Sequence, residues 1–408
     1  MSETIALPLA LLLQPTPGRR TAFAGVWSAR GAAHDDPSEA GATHLVEHLT
    51  LRRCGHRDRR ELARLVDRLG GEVDAWTSSD AMAVSVQTTA DAVPEALDLL
   101  VDAVLDPTFE PEDVELERRV TLAELEMVRD DPAEQVEEAL LHAAWGDHPM
   151  ARPVIGSEAT VAGLTPEALR RHHRRLVAPG GLLAVVAGDV DPVLVRDRLA
   201  RLPLDTLPVA PPLPPLTWAG RHVRLDRDGI DQVHARLAFP TPPVAAPEIA
   251  SVVVLNRLLG VGASSRLFQR LREDEGLTYD ISSGLALRHQ GGLLEVGWVC
   301  STDVFPAVVR AVREELAAAS KPTTDEVEVA KEALRRGLDM DVESPAGLAT
   351  LDVGEVLDRG RRFDLEATRA ELEAVTADTV ADVAMQVLRL DRMASAVCSP
   401  AGFVARVA

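Results

Sequence analysis

The sequence predicts an α+β protein of two related domains, each a mainly antiparallel sheet packed with helices, joined by a Pro-rich linker. Three observations predict it. Met82, Val84 and Val86 alternate with smaller or polar residues, the period of a half-buried antiparallel strand, and a similar run extends from Gly292 to Val299. Amphipathic helical stripes lie between such runs, which suits helices on one face of each sheet. At 408 residues the chain is too long for one compact core, and the stretch Leu207-Pro208-Val209-Ala210-Pro211-Pro212-Leu213-Pro214-Pro215 is stiff and extended enough to separate two. The expected division is an N-terminal domain 1–204, a linker 205–218 and a C-terminal domain 219–408.

Taken in order, the apolar run Ile5 to Leu13 comes first. It lacks a basic flank, contains Pro8 and meets no small-residue cleavage site, so a first strand fits it better than a signal peptide. Asp58 can cap a helix whose Leu62, Leu65, Val66 and Leu69 form a stripe, and Gly70-Gly71 stops it. Pro111 to Asp130 reads as a second helix, with Leu116, Val120, Ala123 and Met127 as the expected apolar stripe. Behind the linker the order begins again. Asp113-Val114-Glu115 recurs as Glu326-Val327-Glu328, and Met127 as Met340, both at an offset of 213.

Hydrophobic residues make up 46% of the chain, ample for two cores, and no segment approaches a membrane span. A net charge of −21 argues against nucleic-acid or anionic-membrane binding and leaves room for attraction of basic peptides. Cys54, Cys300 and Cys398 are odd in number and scattered, so neither a disulfide framework nor a cysteine metal site is indicated, and a reducing, cytoplasmic location fits.

The chemistry is concentrated in His44-Leu45-Val46-Glu47-His48. On a helix, His44 and His48 stand one turn apart on one face with Glu47 beside them, giving two nitrogen ligands for zinc and a carboxylate able to act as general base. The alternative is an ordinary half-buried helix with two histidines. A catalytic zinc needs a third protein ligand. Glu124 is the candidate: it and Glu117 lie seven residues apart beside the stripe of their helix and point the same way, whereas Glu126 lies roughly opposite. An acidic, solvated helix face would explain the same carboxylates. At the repeat offset Glu124 falls on Gly337, and the second half has no His-x-x-Glu-His, so only the first half would hold metal.

Three segments in register, Gly41-Ala42-Thr43-His44-Leu45-Val46-Glu47-His48, Leu69-Gly70-Gly71-Glu72-Val73-Asp74-Ala75-Trp76-Thr77-Ser78 and Glu117-Arg118-Arg119-Val120-Thr121-Leu122-Ala123-Glu124, resemble the insulinase/pitrilysin peptidases. These inverted zinc-motif enzymes include mitochondrial processing peptidase. The resemblance implies one zinc per chain on His44, His48 and Glu124, Glu47 as catalytic base, and Glu117 as a second carboxylate able to fix a ligand imidazole. It also implies that the strand carrying Asp74, Ala75, Trp76 and Thr77 binds an extended peptide by strand addition. Asp74 departs from the asparagine usual there and adds charge near the cleft. Trp76 could instead pack in a core.

In the second half, Ser265-Arg266-Leu267-Phe268, Leu271-Arg272-Glu273 and Gly276-Leu277-Thr278-Tyr279 look like the C-terminal signature of the same family. There the residues matching Arg272 and Tyr279 help bind substrate backbone and stabilise the transition state; both are suited to a developing oxyanion. The bland alternative makes Arg272 a surface charge and Tyr279 a core aromatic. Since the chain carries both motifs, the expectation is a complete zinc endopeptidase for peptides or short unfolded segments, assembled as a homodimer with the two motifs meeting across a closed chamber. The rivals are one subunit of a heterodimer with a related chain, and a non-catalytic peptide-binding or structural member. His34, His56, His172 and His173 are expected to be loop or surface residues rather than ligands.

Overall fold

Apolar alternation and continuous apolar runs become ten strands in the computed structural model, which describes residues 8–404 and 407. The first five are β1 (Leu11–Pro15), β2 (Thr21–Ser28), β3 (Glu72–Thr77), β4 (Met82–Thr89) and β5 (Leu182–Gly188). They form one sheet in the order β1-β5-β2-β4-β3. The others are β6 (His222–Arg227), β7 (Gln232–Thr241), β8 (Asp280–Ala286), β9 (Gly292–Ser301) and β10 (Ala394–Pro400), in the order β6-β10-β7-β9-β8. Adding five to each label turns one sheet into the other, so the faint repeat at an offset of 213 marks a true duplication of topology. In each sheet the outer pair, β1–β5 or β6–β10, is parallel and the remaining pairs are antiparallel. Residues 5–7 of the expected first strand lie outside the described residues.

The helices of the first half are α1 (Ala42–Thr50), α2 (Arg59–Leu69), α3 (Val93–Leu105), α4 (Pro111–Asp130), α5 (Pro132–Trp145), α6 (Glu158–Gly163), α7 (Pro166–Leu176) and α8 (Pro192–Arg198). Those of the second are α9 (Ile249–Gly260), α10 (Phe305–Ala318), α11 (Thr324–Asp341), α12 (Pro345–Arg359), α13 (Leu365–Glu373) and α14 (Ala377–Val387). As its sequence predicts, α2 starts at Asp58, whose carboxylate accepts from the Arg60 and Glu61 amides while Glu61 reaches back to the Asp58 amide. It ends at Gly70 with φ 65°. The following Gly71 is required by space, since a Cβ there would meet the Gln87 carbonyl oxygen at 1.9 Å.

The packed units are not the sequential halves. One comprises the chain up to Met127 together with Arg152–Leu213 and Asp341–Phe363; the other comprises Val128–Ala151, Pro214–Met340 and the chain from Asp364. The division at 1–204 and 219–408 therefore separates the two sheets, while α5 belongs to the unit of the second sheet and α12 to the unit of the first. The boundary between Leu213 and Pro214 does fall in the proline-rich stretch.

The physical reason for the exchange lies in strand burial. All seven residues of β5 are buried, and all of β2 after Thr21, so this sheet is covered on both faces and not on one as expected from its alternating neighbours. Helix α12 packs across β1, β2 and β5, adding Ala349, Val353 and Val356 to the first core. It is fixed by a buried carboxylate: Asp352 accepts from Gln14 Nε2 at 2.8 Å, Arg362 Nε at 2.8 Å and the Phe363 amide at 3.0 Å. In the second unit α5 packs on β6, β7 and β10, tied by the Arg236–Glu137 ion pair and by Arg227 donating to Gln135. A separate clamp holds the helical turn before residue 268, where the guanidinium of Arg266 hydrogen-bonds Glu326 of α11 and draws that carboxyl down to about 2.

The linker is held within each unit by histidine. His34 pairs with the Pro211 carbonyl in the first unit, and His148 with the Pro214 carbonyl in the second. His56 is exposed as expected, but His172 and His173 are buried on the inner face of α7. There burial lowers the pKa of His173, which meets the Val104 carbonyl at 2.8 Å. Their neighbours in the Arg-rich α7 conceal that face from a composition-based reading. The three cysteines are free and buried, and burial raises the Cys54 thiol to about 11 and the Cys300 thiol to about 12. Among the described residues no helix is long and apolar enough to cross a membrane.

Replacing Asp352 with Ala leaves Gln14 and the Phe363 amide without their acceptor in a site where Asp352 itself has 0% exposure. The expected cost is on the order of 3 kcal/mol, measurable as a lower urea midpoint for Asp352→Ala.

Candidate metal centre

Helix α1 begins where only glycine fits: Gly41 has φ 91°, and a Cβ on it would lie 2.5 Å from the Ile155 carbonyl oxygen. Buried Asp35 then gathers the first turn, accepting from the Gly41 amide at 2.9 Å, the Thr43 amide at 3.3 Å and Thr43 Oγ1 at 2.5 Å. A carboxylate at this end also complements the helix dipole. His172 Nε2 completes the group, 2.8 Å from Thr43 Oγ1 and 3.2 Å from Asp35 Oδ1. With Leu45, Val46 and Leu49 fully buried, the helix has one rotation available, and it presents His44, Glu47 and His48 together. Their imidazole centroids are 4.6 Å apart.

Helix α4 is present as expected but turns the opposite way. Val120, Ala123 and Met127 of the supposed core stripe are exposed, Met127 at 65%, and Leu116 is half-buried. The buried residues are Asp113, Val114, Glu117 and Thr121. Carboxylates are drawn inward because cations receive them. Arg52 donates to Asp113 at 2.7 Å and to Glu117 at 2.5 Å, and Arg53 pairs with Asp113 at 2.8 Å. A stripe rule that counts only apolar side chains cannot see this competition.

The rotation brings Glu124 to the histidines. Glu124 Oε2 lies 3.3 Å from His44 Nε2 and 3.6 Å from His48 Nε2, while Glu47 Oε2 lies 3.5 Å from His44 Nδ1. Glu117 Oε2 is 3.2 Å from His48 Nδ1, the nitrogen pointing away from Glu124. Burial of His48 lowers its pKa, but the hydrogen bond with Glu117 and the charges of Glu124, Glu47 and Glu117 outweigh it, and the pKa is raised. The hydrogen bond with His48 lowers Glu117, reinforced by Arg52 against the opposing effect of burial.

His44, His48 and Glu124 can offer one donor each within 4.8 Å of one another. Donors about 2.0–2.2 Å from one tetrahedral zinc stand roughly 3.3–3.6 Å apart, which is the spacing of Glu124 Oε2 from both imidazoles. Two neutral nitrogens and one carboxylate also suit zinc chemically. The residues fit the ion.

The remaining expected residues fall in two places. β3 pairs only with β4 among the described residues, so Asp74, Ala75, Trp76 and Thr77 lie on a sheet edge. Asp74 and Trp76 are exposed, and Trp76, at 38%, is not a core residue. In the second unit a π-helical turn, Phe268–Asp274, carries Arg272. Its guanidinium carbon sits 4.5 Å from the ring centre of Tyr279 and 4.7 Å from that of Phe268. Tyr279 is 81% exposed and so is not a core aromatic. The sequence reading missed two residues around the metal group, Asp35 and Arg52. Arg52 had a visible signal, standing four residues after His48, and Asp35 had none beyond preceding the helix.

A duplicated two-sheet fold whose first unit assembles an inverted His-x-x-Glu-His helix with a distant glutamate defines the inverted zinc-motif class. The comparisons agree. The model described as insulinase (peptidase family M16) matches residues 10–158, and that of the peptidase M16 inactive domain matches 163–334. An uncharacterized zinc protease of Mycobacterium tuberculosis (strain ATCC 25618 / H37Rv) is 33% identical, the match covering 97% of this chain and 92% of the relative. The uncharacterized zinc protease YmxG of Bacillus subtilis is 28% identical over 96% of each. In fold, the chain is similar to a peptidase M16 inactive domain structure from Pseudomonas fluorescens, with a TM-score of 0.86 and 21% identity over 97% of this chain and 96% of that one. It is likewise similar to a protease from Helicobacter pylori, with a TM-score of 0.86 and 18% identity over 98% and 99%. The chain belongs to the M16 insulinase peptidase family.

Glu117→Gln keeps a hydrogen-bonding side chain but removes the charge beside His48. Zinc affinity is expected to fall roughly 10- to 100-fold, read by competition with a chromogenic chelator.

Proposed function

We propose that this protein is a zinc-dependent endopeptidase acting on peptides or short unfolded segments. The observation that carries the proposal is the convergence of His44 Nε2 and His48 Nε2 on Glu124 Oε2, with Glu47 adjoining the same pair. His44, His48 and Glu124 would hold one zinc, which when bound lowers the pKa of water and polarises a carbonyl. Glu47 accepts a proton from water at its carboxylate and returns it to the leaving amine. Glu117 holds the His48 ring through Nδ1 and leaves Nε2 free to face the ion. Asp35 and Thr43 hold the first turn of α1, and so the position of His44.

The open edge of β3 offers backbone groups to an extended peptide, so affinity would come largely without a demand for sequence. Asp74 on that edge favours a basic residue in the substrate. Arg272, held between two rings, and the exposed hydroxyl of Tyr279 are proposed as donors to the substrate from the second unit. We further propose a homodimer, and a reducing cytoplasmic setting supported by three unpaired buried cysteines.

The decisive experiment combines zinc content with a cleavage profile on a mixed peptide pool. Glu47→Gln is expected to retain one zinc per chain and to lose activity by at least about 100-fold, whereas His48→Ala loses both. Turnover by Glu47→Gln comparable to the unaltered protein would remove the assigned base.

A further inference from the structure

Beside the metal group, but separate from its ligands, lies a cleft of about 480 Å³ lined by Arg52, Arg53, Arg59, Arg60 and Arg119. Such a concentration of guanidinium is unexpected in a chain of net charge −21. Arg52 and Arg53 are engaged with Asp113, Glu117 and Glu112. Arg59, Arg60 and Arg119 are different: all three are exposed, and none forms an ion pair within 4 Å among the described residues. Asp58, the remaining acid in the lining, accepts its hydrogen bonds from backbone amides.

The placement is also locally unfavourable. Arg59 and Arg60 open the first turn of α2, the end where the helix dipole disfavours positive charge. Sites that break a local rule without an internal partner are where a ligand is to be sought. Five guanidiniums against the three carboxylates Asp58, Glu112 and Asp113 leave the lining positive by two. Guanidinium forks match phosphate oxygens in pairs, and a phosphate chain concentrates several negative charges in a volume of this size.

We propose that this cleft binds a small anion carrying a di- or triphosphate group, with Arg59, Arg60 and Arg119 as its principal contacts. Such a group could come from inorganic pyrophosphate or from a nucleotide. Binding in the cleft is read without peptide hydrolysis, so its test does not depend on activity.

The test is calorimetric titration of the zinc-loaded full-length protein with inorganic pyrophosphate and, separately, with a nucleoside diphosphate, both at fixed ionic strength. Saturable binding is expected, weakened at least 10-fold in Arg59→Ala/Arg60→Ala/Arg119→Ala and less in the triple lysine variant, which keeps the charge but loses the paired geometry. Thermal melts and zinc content show that both variants are folded and loaded. Equal affinity for the two ligands assigns recognition to the phosphate chain, and tighter nucleoside diphosphate binding assigns a nucleotide. Absence of saturable binding would overturn the proposal. So would equal binding by the triple alanine variant, which would place the heat at the zinc rather than in this cleft, or reproduction of the effect by potassium chloride.

Discussion

The metal group depends on the inward turn of the carboxylate face of α4. A helix normally buries its apolar stripe, because removing hydrocarbon from water is favourable and removing carboxylate is not. Here the sign is reversed by partners placed in advance. Arg52 spans Asp113 and Glu117, His48 takes the other oxygen of Glu117, and Glu124 arrives two turns after Glu117 at the paired Nε2 atoms. Paired and hydrogen-bonded, the carboxylates tolerate burial that would be prohibitive for each alone. Val120 and Met127 are left exposed as the consequence.

The same logic fixes the opposing helix. Its apolar side is sealed in the first core, its first turn is gathered by Asp35, and its start is set by a glycine packed against the Ile155 carbonyl. Two helices constrained separately, one by hydrocarbon and one by charge, leave little freedom at the point where their side chains meet. That rigidity suits a group able to hold a metal ion, since a displaced ligand loses affinity and alignment.

Duplication explains the architecture around it. The first sheet has central strands buried on both faces and takes α12 as a second helical cover, while α5 packs on β6, β7 and β10 of the second sheet, whose central β7 alternates buried residues with half-buried His234 and Arg236. These two helices occupy equivalent places in the repeat, so the exchange is reciprocal. Among the described residues only the first copy gathers a histidine–glutamate group able to hold a metal, and Gly337 stands where it has Glu124. The second copy instead displays Arg272 between Phe268 and Tyr279 on an exposed turn.

Much of this was determined by the sequence itself. The spacing of His44, Glu47 and His48 sets their common face because helical pitch is local, and Asp58 and Gly70 bound their helix through bonds to nearby backbone. The seven-residue interval between Glu117 and Glu124 likewise sufficed to align them. Only the tertiary structure decided which face of α4 is buried, that His172 and His173 are interior, that Arg52 and Asp35 support the metal group, and that α5 and α12 change units. Each of these is a choice between non-local partners, and the winning energy comes from a charge or an apolar strand far away in the chain, where neither periodicity nor composition registers it.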